Sequence, residues 1–116
     1  MGELREAVSA LSDAVAADLY ESEEAYLLVI DLPGVSADAT TVSTAERTLH
    51  IRADRKLDAP ADTTVIRRDR TEHVSIDLPV PPDADAEAAT ASITDGVLEI
   101  TIPRSMPETT IPIEDE

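Results

Sequence analysis

The sequence predicts an all-β protein, an antiparallel β-sandwich with a short N-terminal helix and an extended C-terminal tail, and three observations predict it. Short runs rich in Val, Ile, Leu and Thr alternate apolar with polar residues at a period of two. Pro, Gly and Asp turn signals separate these runs at close spacing. The last pair of runs, ATASITDGVLEITIP at 89–103, holds Asp95-Gly96 between two alternating arms, which is the pattern of a tight hairpin.

Taken in order, residues 3–17 read as a helix. Leu4, Val8, Leu11 and Val15 recur at spacings of four, three and four, giving one narrow apolar stripe. Glu3 and Glu6 lie in the first turn, where carboxylates complement the helix dipole. So narrow a stripe predicts a helix that packs on something else, either the edge of its own sandwich or another copy of the chain. After Asp18 the period changes to two. AYLLVIDL, 25–32, is apolar on both faces, as for a strand inside a sandwich. Pro33 then presets φ for the second position of a turn and Gly34 accepts the positive φ of the third, so a type II turn is expected.

TTVST, 40–44, and TLHIRA, 48–53, are β-branched and alternating, and read as a strand pair. KLDAPADTT, 56–64, is a loop, with Val65 and Ile66 a brief strand within the longer connection. EHVSIDLP, 72–79, alternates again and puts Val74, Ile76 and Leu78 on one face. A proline-punctuated acidic connection leads to the hairpin, whose arms place Ala89, Ala91 and Ile93, then Leu98, Ile100 and Ile102, at alternate positions. Pro103 ends it, and RSMPETT runs on to Ile111-Pro112-Ile113. The chain divides into an N-terminal helical arm at 1–18, a sandwich at 19–103 and a tail at 104–116.

Composition narrows function. One domain of 116 residues has an aliphatic core, because Tyr20 and Tyr26 are its only aromatics. Absence of cysteine excludes disulfides, thiolate metal sites and cysteine nucleophiles, and suits the cytoplasm. The 25 acidic residues against nine basic ones give a net charge of −16, and Lys56 is the single lysine. Self-repulsion of this kind destabilises the compact state in dilute salt. At ~1 M salt the Debye length falls to about 3 Å, so such a surface suits a salt-rich, halophilic cytoplasm. Nucleic acid and anionic membranes are poor partners for it. No apolar run approaches the ~20 residues of a membrane span, and the N-terminus lacks the basic start and apolar stretch of a secretory signal.

Nothing in the chain reads as catalytic. Glycines at 2, 34 and 96 form no phosphate loop or dinucleotide fingerprint. His50 and His73 are far apart and are expected to be ion-paired or solvent-facing, not a metal or catalytic pair. Asp83-Ala84-Asp85-Ala86-Glu87 lacks the central glycine and distal glutamate of a calcium loop and reads as a solvated acidic loop. Asp69 and Glu72 interleave Arg67, Arg68 and Arg70, which predicts ion pairs within the chain or across a dimer.

The order of these pieces resembles the small heat-shock protein family, the α-crystallin domain chaperones. AYLLVIDLPGV at 25–35 looks like the family's early strand running into its Leu-Pro-Gly turn. Ala91, Asp95, Gly96, Val97 and Leu98 match its Ala-x-x-x-Asn/Asp-Gly-Val-Leu signature, and Ile111-Pro112-Ile113 stands where it keeps a C-terminal Ile-x-Ile/Val motif. Together these cover residues 19 to 113. Arg47 stands where a turn glycine is common, and the arm lacks the aromatics frequent in family arms.

The resemblance implies an immunoglobulin-like sandwich that assembles as homodimers and larger oligomers, and that holds unfolding client proteins without ATP or cofactor. Val65 and Ile66 would then lie on a loop reaching the neighbour's sheet edge. Ile111, Pro112 and Ile113 would plug an apolar groove lined by Val42, Ala91 and Ile93 of another protomer. Leu4, Val8, Leu11 and Val15 would supply the arm's contacts. A different class of function, a structural adaptor for one dedicated assembly such as a gas-vesicle accessory, would use the same fold without general client holding.

Overall fold

The computed structural model describes residues 2–10, 15–68, 71–104 and 113. At its centre lie the two strands whose alternation is cleanest. In β2 (Ala25–Asp31) Tyr26, Leu28 and Ile30 are buried, and in β7 (Val97–Pro103) Leu98, Ile100 and Ile102 are. They pair antiparallel from Ala25↔Pro103 to Asp31↔Val97. With β1 (Ala17–Glu21) and β6 (Thr90–Thr94) at the edges they form a sheet of order β1-β2-β7-β6.

The second sheet, of order β3-β4-β5, comprises β3 (Val35–Ala45), β4 (Thr48–Arg55) and β5 (His73–Pro79). It contributes Leu49, Ile51 and Ala53 from β4, and Val74, Ile76 and Leu78 from β5, to the shared core. No charged or polar residue is buried there among the described residues. The fold is the antiparallel β-sandwich expected, packed almost wholly by aliphatics, with burial of each such side chain stabilising by roughly 1.5–3 kcal/mol.

Two turns that look independent in sequence meet in space. Val35 N–H donates to Leu32 O at 3.1 Å, closing the Leu32–Val35 turn with Gly34 at φ 82°. Leu32 N–H in turn donates to Gly96 O at 2.6 Å. Gly96 has φ 77°, and a Cβ there would lie 3.0 Å from Leu32 O. The β6–β7 hairpin therefore needs glycine both for backbone geometry and for close approach of the Leu-Pro-Gly turn.

Two expectations are corrected. The helix expected over 3–17 is α1 (Gly2–Ser9), and Ala17–Glu21 instead forms β1, paired from Ala17↔Ile30 to Glu21↔Tyr26. A free sheet edge on β2 outweighs weak local helix preference. Leu11 lies outside the described residues. The brief strand expected at Val65 and Ile66 is not formed, and residues 56–68 carry only a turn at 61–62 and a bend at 66. An extended segment with no neighbouring strand to pair with has no ladder to hold it.

Helix α1 lies against both sheets, touching β5 and β1. Leu4 is 3% exposed within the core cluster, and Val8 and Val15 are half-buried against it. In the single chain the helical stripe packs on its own sandwich.

Candidate assembly site

The seam between the sheets is open on the side where β3 faces β6. There Val42 from β3, Ala91 and Ile93 from β6 and Leu98 from β7 line a shallow cavity of about 240 Å³, with Ala37, Thr40 and Ser92 completing it. Their convergence follows from strand period. Val42 pairs with Ile51 and points its side chain to the core side of the second sheet. Ala91 and Ile93 stand opposite Ile100 and Leu98 and face the same way from the first. Val42 and Ile93 are half-buried and Ala91 is exposed. The three residues expected from sequence to line one groove do line one cavity.

Exposed large apolar side chains are few. Among the described residues they are Tyr20, Val65, Ile66 at 97% exposure and Ile113 at 95%. Three of these four belong to the loop and the tail. Ile111 and Pro112 lie outside the described residues.

The histidines are separate, as expected, each on an exposed cross-strand pair of the β4–β5 ladder. His50 Nδ1 lies 2.6 Å from Asp77, which also accepts from Arg52 at 2.9 Å. The His50 and Arg52 contacts hold the Asp77 carboxyl below the usual carboxylate range. His73 Nδ1 lies 2.5 Å from Asp54, which pushes the His73 imidazole upward. No group of three or more His, Cys, Asp or Glu among the described residues is placed to hold a metal ion. No helix there is long and apolar enough to cross a membrane.

Sequence reasoning missed a polar cluster where the tail leaves the sandwich. Asp83, expected in a solvated loop, has a side chain only 21% exposed. Its carboxylate accepts from the Tyr26 hydroxyl at 2.7 Å and from Arg104 Nε at 2.8 Å. Arg104 also stacks over the Tyr26 ring at 5.3 Å and donates from Nη1 to Ser22 O at 2.8 Å. The Tyr26 hydroxyl, followed by Arg104, holds the Asp83 carboxyl below its ordinary range. Burial, reinforced by Asp83, pushes the Tyr26 phenol up to about 12. The available signal was a tyrosine at a core-facing position of a strand, because a buried hydroxyl needs a partner.

Arg47 is the other unforeseen participant. It sits in the β3–β4 turn at φ 62°, following Glu46 at φ 50°, where glycine is the unstrained choice. Its guanidinium donates to Pro81 O at 2.5 Å, and its carbonyl accepts from Val80 N–H at 2.8 Å. These bonds tie the turn to the segment after β5.

The family model described as Hsp20/alpha crystallin family matches residues 18–114. A 17.7 kDa class II heat shock protein of Arabidopsis thaliana is 32% identical over 98 residues, which make up 81% of this chain and 63% of that protein. The chain thus spans less than two thirds of that relative's length. Among solved structures, a small heat-shock protein from Xylella fastidiosa superposes with a TM-score of 0.73 at 30% identity, over 88% of this chain and 95% of that one. HspA from Xanthomonas axonopodis gives 0.67 at 31% identity, over 78% and 92%.

Proposed function

The chain belongs to the Hsp20/alpha crystallin family, and from that premise we propose that it is an ATP-independent holdase that binds unfolding proteins and prevents their aggregation. One observation carries the reading. A preformed apolar groove at Val42, Ala91 and Ile93 coexists with exposed apolar side chains concentrated on the loop and the tail. Groove and plugs of that kind suit reversible self-assembly.

In this reading Ile111 and Ile113 of one copy fill the groove of another. Each buried Ile contributes roughly 1.5–3 kcal/mol before ordering costs, so a single plug is weak. Pro112 pre-extends the tail and reduces the entropy lost on docking. Several plugs in one assembly gain avidity, and heat releases them to leave grooves free for clients. Val65 and Ile66, with no strand partner in the single chain, dock on the sheet edge of a second copy to make the homodimer. Leu4 and Val8, with Val15 and Leu11, are arm contacts that assembly or stress redistributes.

The activity needs no covalent chemistry, cofactor or metal, and the protein is no enzyme. A net charge of −16 disfavours nucleic acid and anionic membranes and suits a salt-rich cytoplasm.

The test is suppression of aggregation of a heated model client in multimolar salt, comparing the native chain with Ile111→Ala/Ile113→Ala. Protection by the native chain, with a lower assembly mass for the double variant by light scattering, is expected. Absence of protection at any ratio sinks the holdase reading and leaves a dedicated structural adaptor. An unchanged assembly mass removes the plug.

A further inference from the structure

The tail proposed as a plug has two grooves to choose from, its own and a neighbour's, and length alone does not choose. Ile93 of the groove pairs with Leu98, six residues before Arg104 on β7. Six residues of strand span about 20 Å. From Arg104 to Ile111 is seven residues, which reach at most about 25 Å when extended. A tail that doubled back along β7 would therefore be long enough to enter its own groove. Only the direction in which it leaves the sandwich separates the two outcomes.

That direction is fixed at Arg104. Strand β7 runs from the groove end of the sandwich towards Arg104, so a chain that continues straight leaves the groove behind it. Arg104 is held in that extended path from both sides. Its N–H donates to Glu24 O at 2.8 Å, and it forms an antiparallel bridge with Ala84, while Asp85 N–H donates to Pro103 O at 2.7 Å. Its side chain lies on the Tyr26 ring, reaches Asp83 with Nε and Nη2 and Ser22 O with Nη1. Tyr26, with no exposed surface, holds the other oxygen of Asp83. The anchor is thus built from the core outward, and it grips the first residue of the tail.

We propose that Arg104, held by Asp83 and Tyr26, is a positioning residue that directs the tail away from its own groove, so that Ile111 and Ile113 are delivered to another copy of the chain. This rests on the plug reading above and adds what makes the plug act between copies. Loosening the anchor lets the chain reverse at 105–107 and satisfies the groove within one copy, which caps assembly.

Because the chain has no cysteine, an Ala91→Cys/Pro112→Cys pair places one thiol on the groove-facing side of β6 and one in the tail motif with no others to interfere. Mild oxidation followed by non-reducing electrophoresis then reports which groove the tail occupies. With Arg104 intact, a ladder of disulfide-linked multimers is expected. With Arg104→Ala added, the internally linked monomer rises several-fold and the ladder shrinks, while Arg104→Lys restores part of the ladder. Tyr26→Phe keeps the ring in the core but removes the hydroxyl that holds Asp83, and it shifts the same ratio in the same direction. It decides the matter if Arg104→Ala does not fold by circular dichroism. An unchanged ladder in the folded variants overturns the role of Arg104 and leaves the plug standing. Internal linkage already dominant with Arg104 intact also overturns it. Failure to form either disulfide in every background overturns the plug and this proposal together.

Discussion

Tyr26 shows how one residue serves two neighbours at once. Its ring fills the core with no exposed surface, and its hydroxyl reaches Asp83 at 2.7 Å. Burial and that contact hold the proton on the phenol, raising its pKa from 10 to about 12. The folded value lies above the unfolded one, so the stabilisation is complete below pH 10 and is lost as pH rises through 12. Thermal melts are expected to fall steeply over that interval for the native chain and less steeply for Tyr26→Phe. A Tyr20→Phe background leaves Tyr26 as the sole phenol, so its absorbance change can be followed directly; ionisation near pH 10 would contradict the buried contact. Asp83 gives the opposite limb. Its folded carboxyl titrates below the ordinary range, so its contribution is present above the unfolded value and disappears as pH falls through the folded one. Arg47 illustrates a local cost accepted for a distant contact. A left-handed turn residue with a side chain costs roughly 1–2 kcal/mol, and the bond to Pro81 O offsets part of it.

At the scale of elements, helix α1 is the piece most dependent on a single anchor. Eight residues are too few to be a stable helix alone, since isolated helices shorter than about 12–15 residues are marginal. Leu4 supplies its buried contact, 3% exposed within the core cluster where the helix meets β5. A buried Leu→Ala change ordinarily costs about 2–5 kcal/mol, but the loss here cannot exceed what docking the helix contributes. Leu4→Ala is therefore expected to cost about 2 kcal/mol and to raise amide exchange over Gly2–Ser9, while the β2–β7 amides stay protected. Equal loss of protection in both regions would show instead that the helix is integral to the sandwich. The elements also differ in how far the sequence discloses them. The β6–β7 hairpin and the turn at Pro33-Gly34 were legible because their chemistry is local: positive φ demands Gly34 and Gly96, and alternation sets the faces. Strand β1 was not, since Val15 continues the spacing of Leu4, Val8 and Leu11 and only pairing with the edge of β2 makes 17–21 a strand. The groove residues Val42, Ala91 and Ile93 were placed by resemblance, and strand period explains why they converge. The contact of Leu32 with Gly96 and the Tyr26–Asp83–Arg104 cluster join residues 21 or more positions apart, which no local pattern signals.

For the molecule as a whole, charge is unevenly distributed along the chain. Seven of the nine basic residues fall between Arg47 and Arg70, a stretch that holds only four of the 25 acidic ones. Of the seven, Arg52 is held by Asp77, and Arg47 and Arg55 by the carbonyls of Pro81, Thr71 and Pro33. The remaining acidic surface has little to neutralise it, so repulsion within and between copies opposes both folding and assembly. Two salt effects can relieve this, and they differ in range. Screening acts early, since the Debye length is already about 10 Å at 0.1 M and about 3 Å at 1 M. Strengthened apolar burial, the action of strongly excluded salts, needs no charge and continues to grow with concentration. If repulsion dominates, most of the rise in melting temperature in potassium chloride will occur below ~0.5 M, where the screening length changes most. Neutralising Glu23 and Glu24, exposed beside the β1–β2 turn, with glutamine will raise the melting temperature in dilute salt and flatten the curve. A melting temperature flat below that concentration and climbing only beyond it would assign the salt response to the aliphatic core, and the acidic surface would then be a matter of solubility alone.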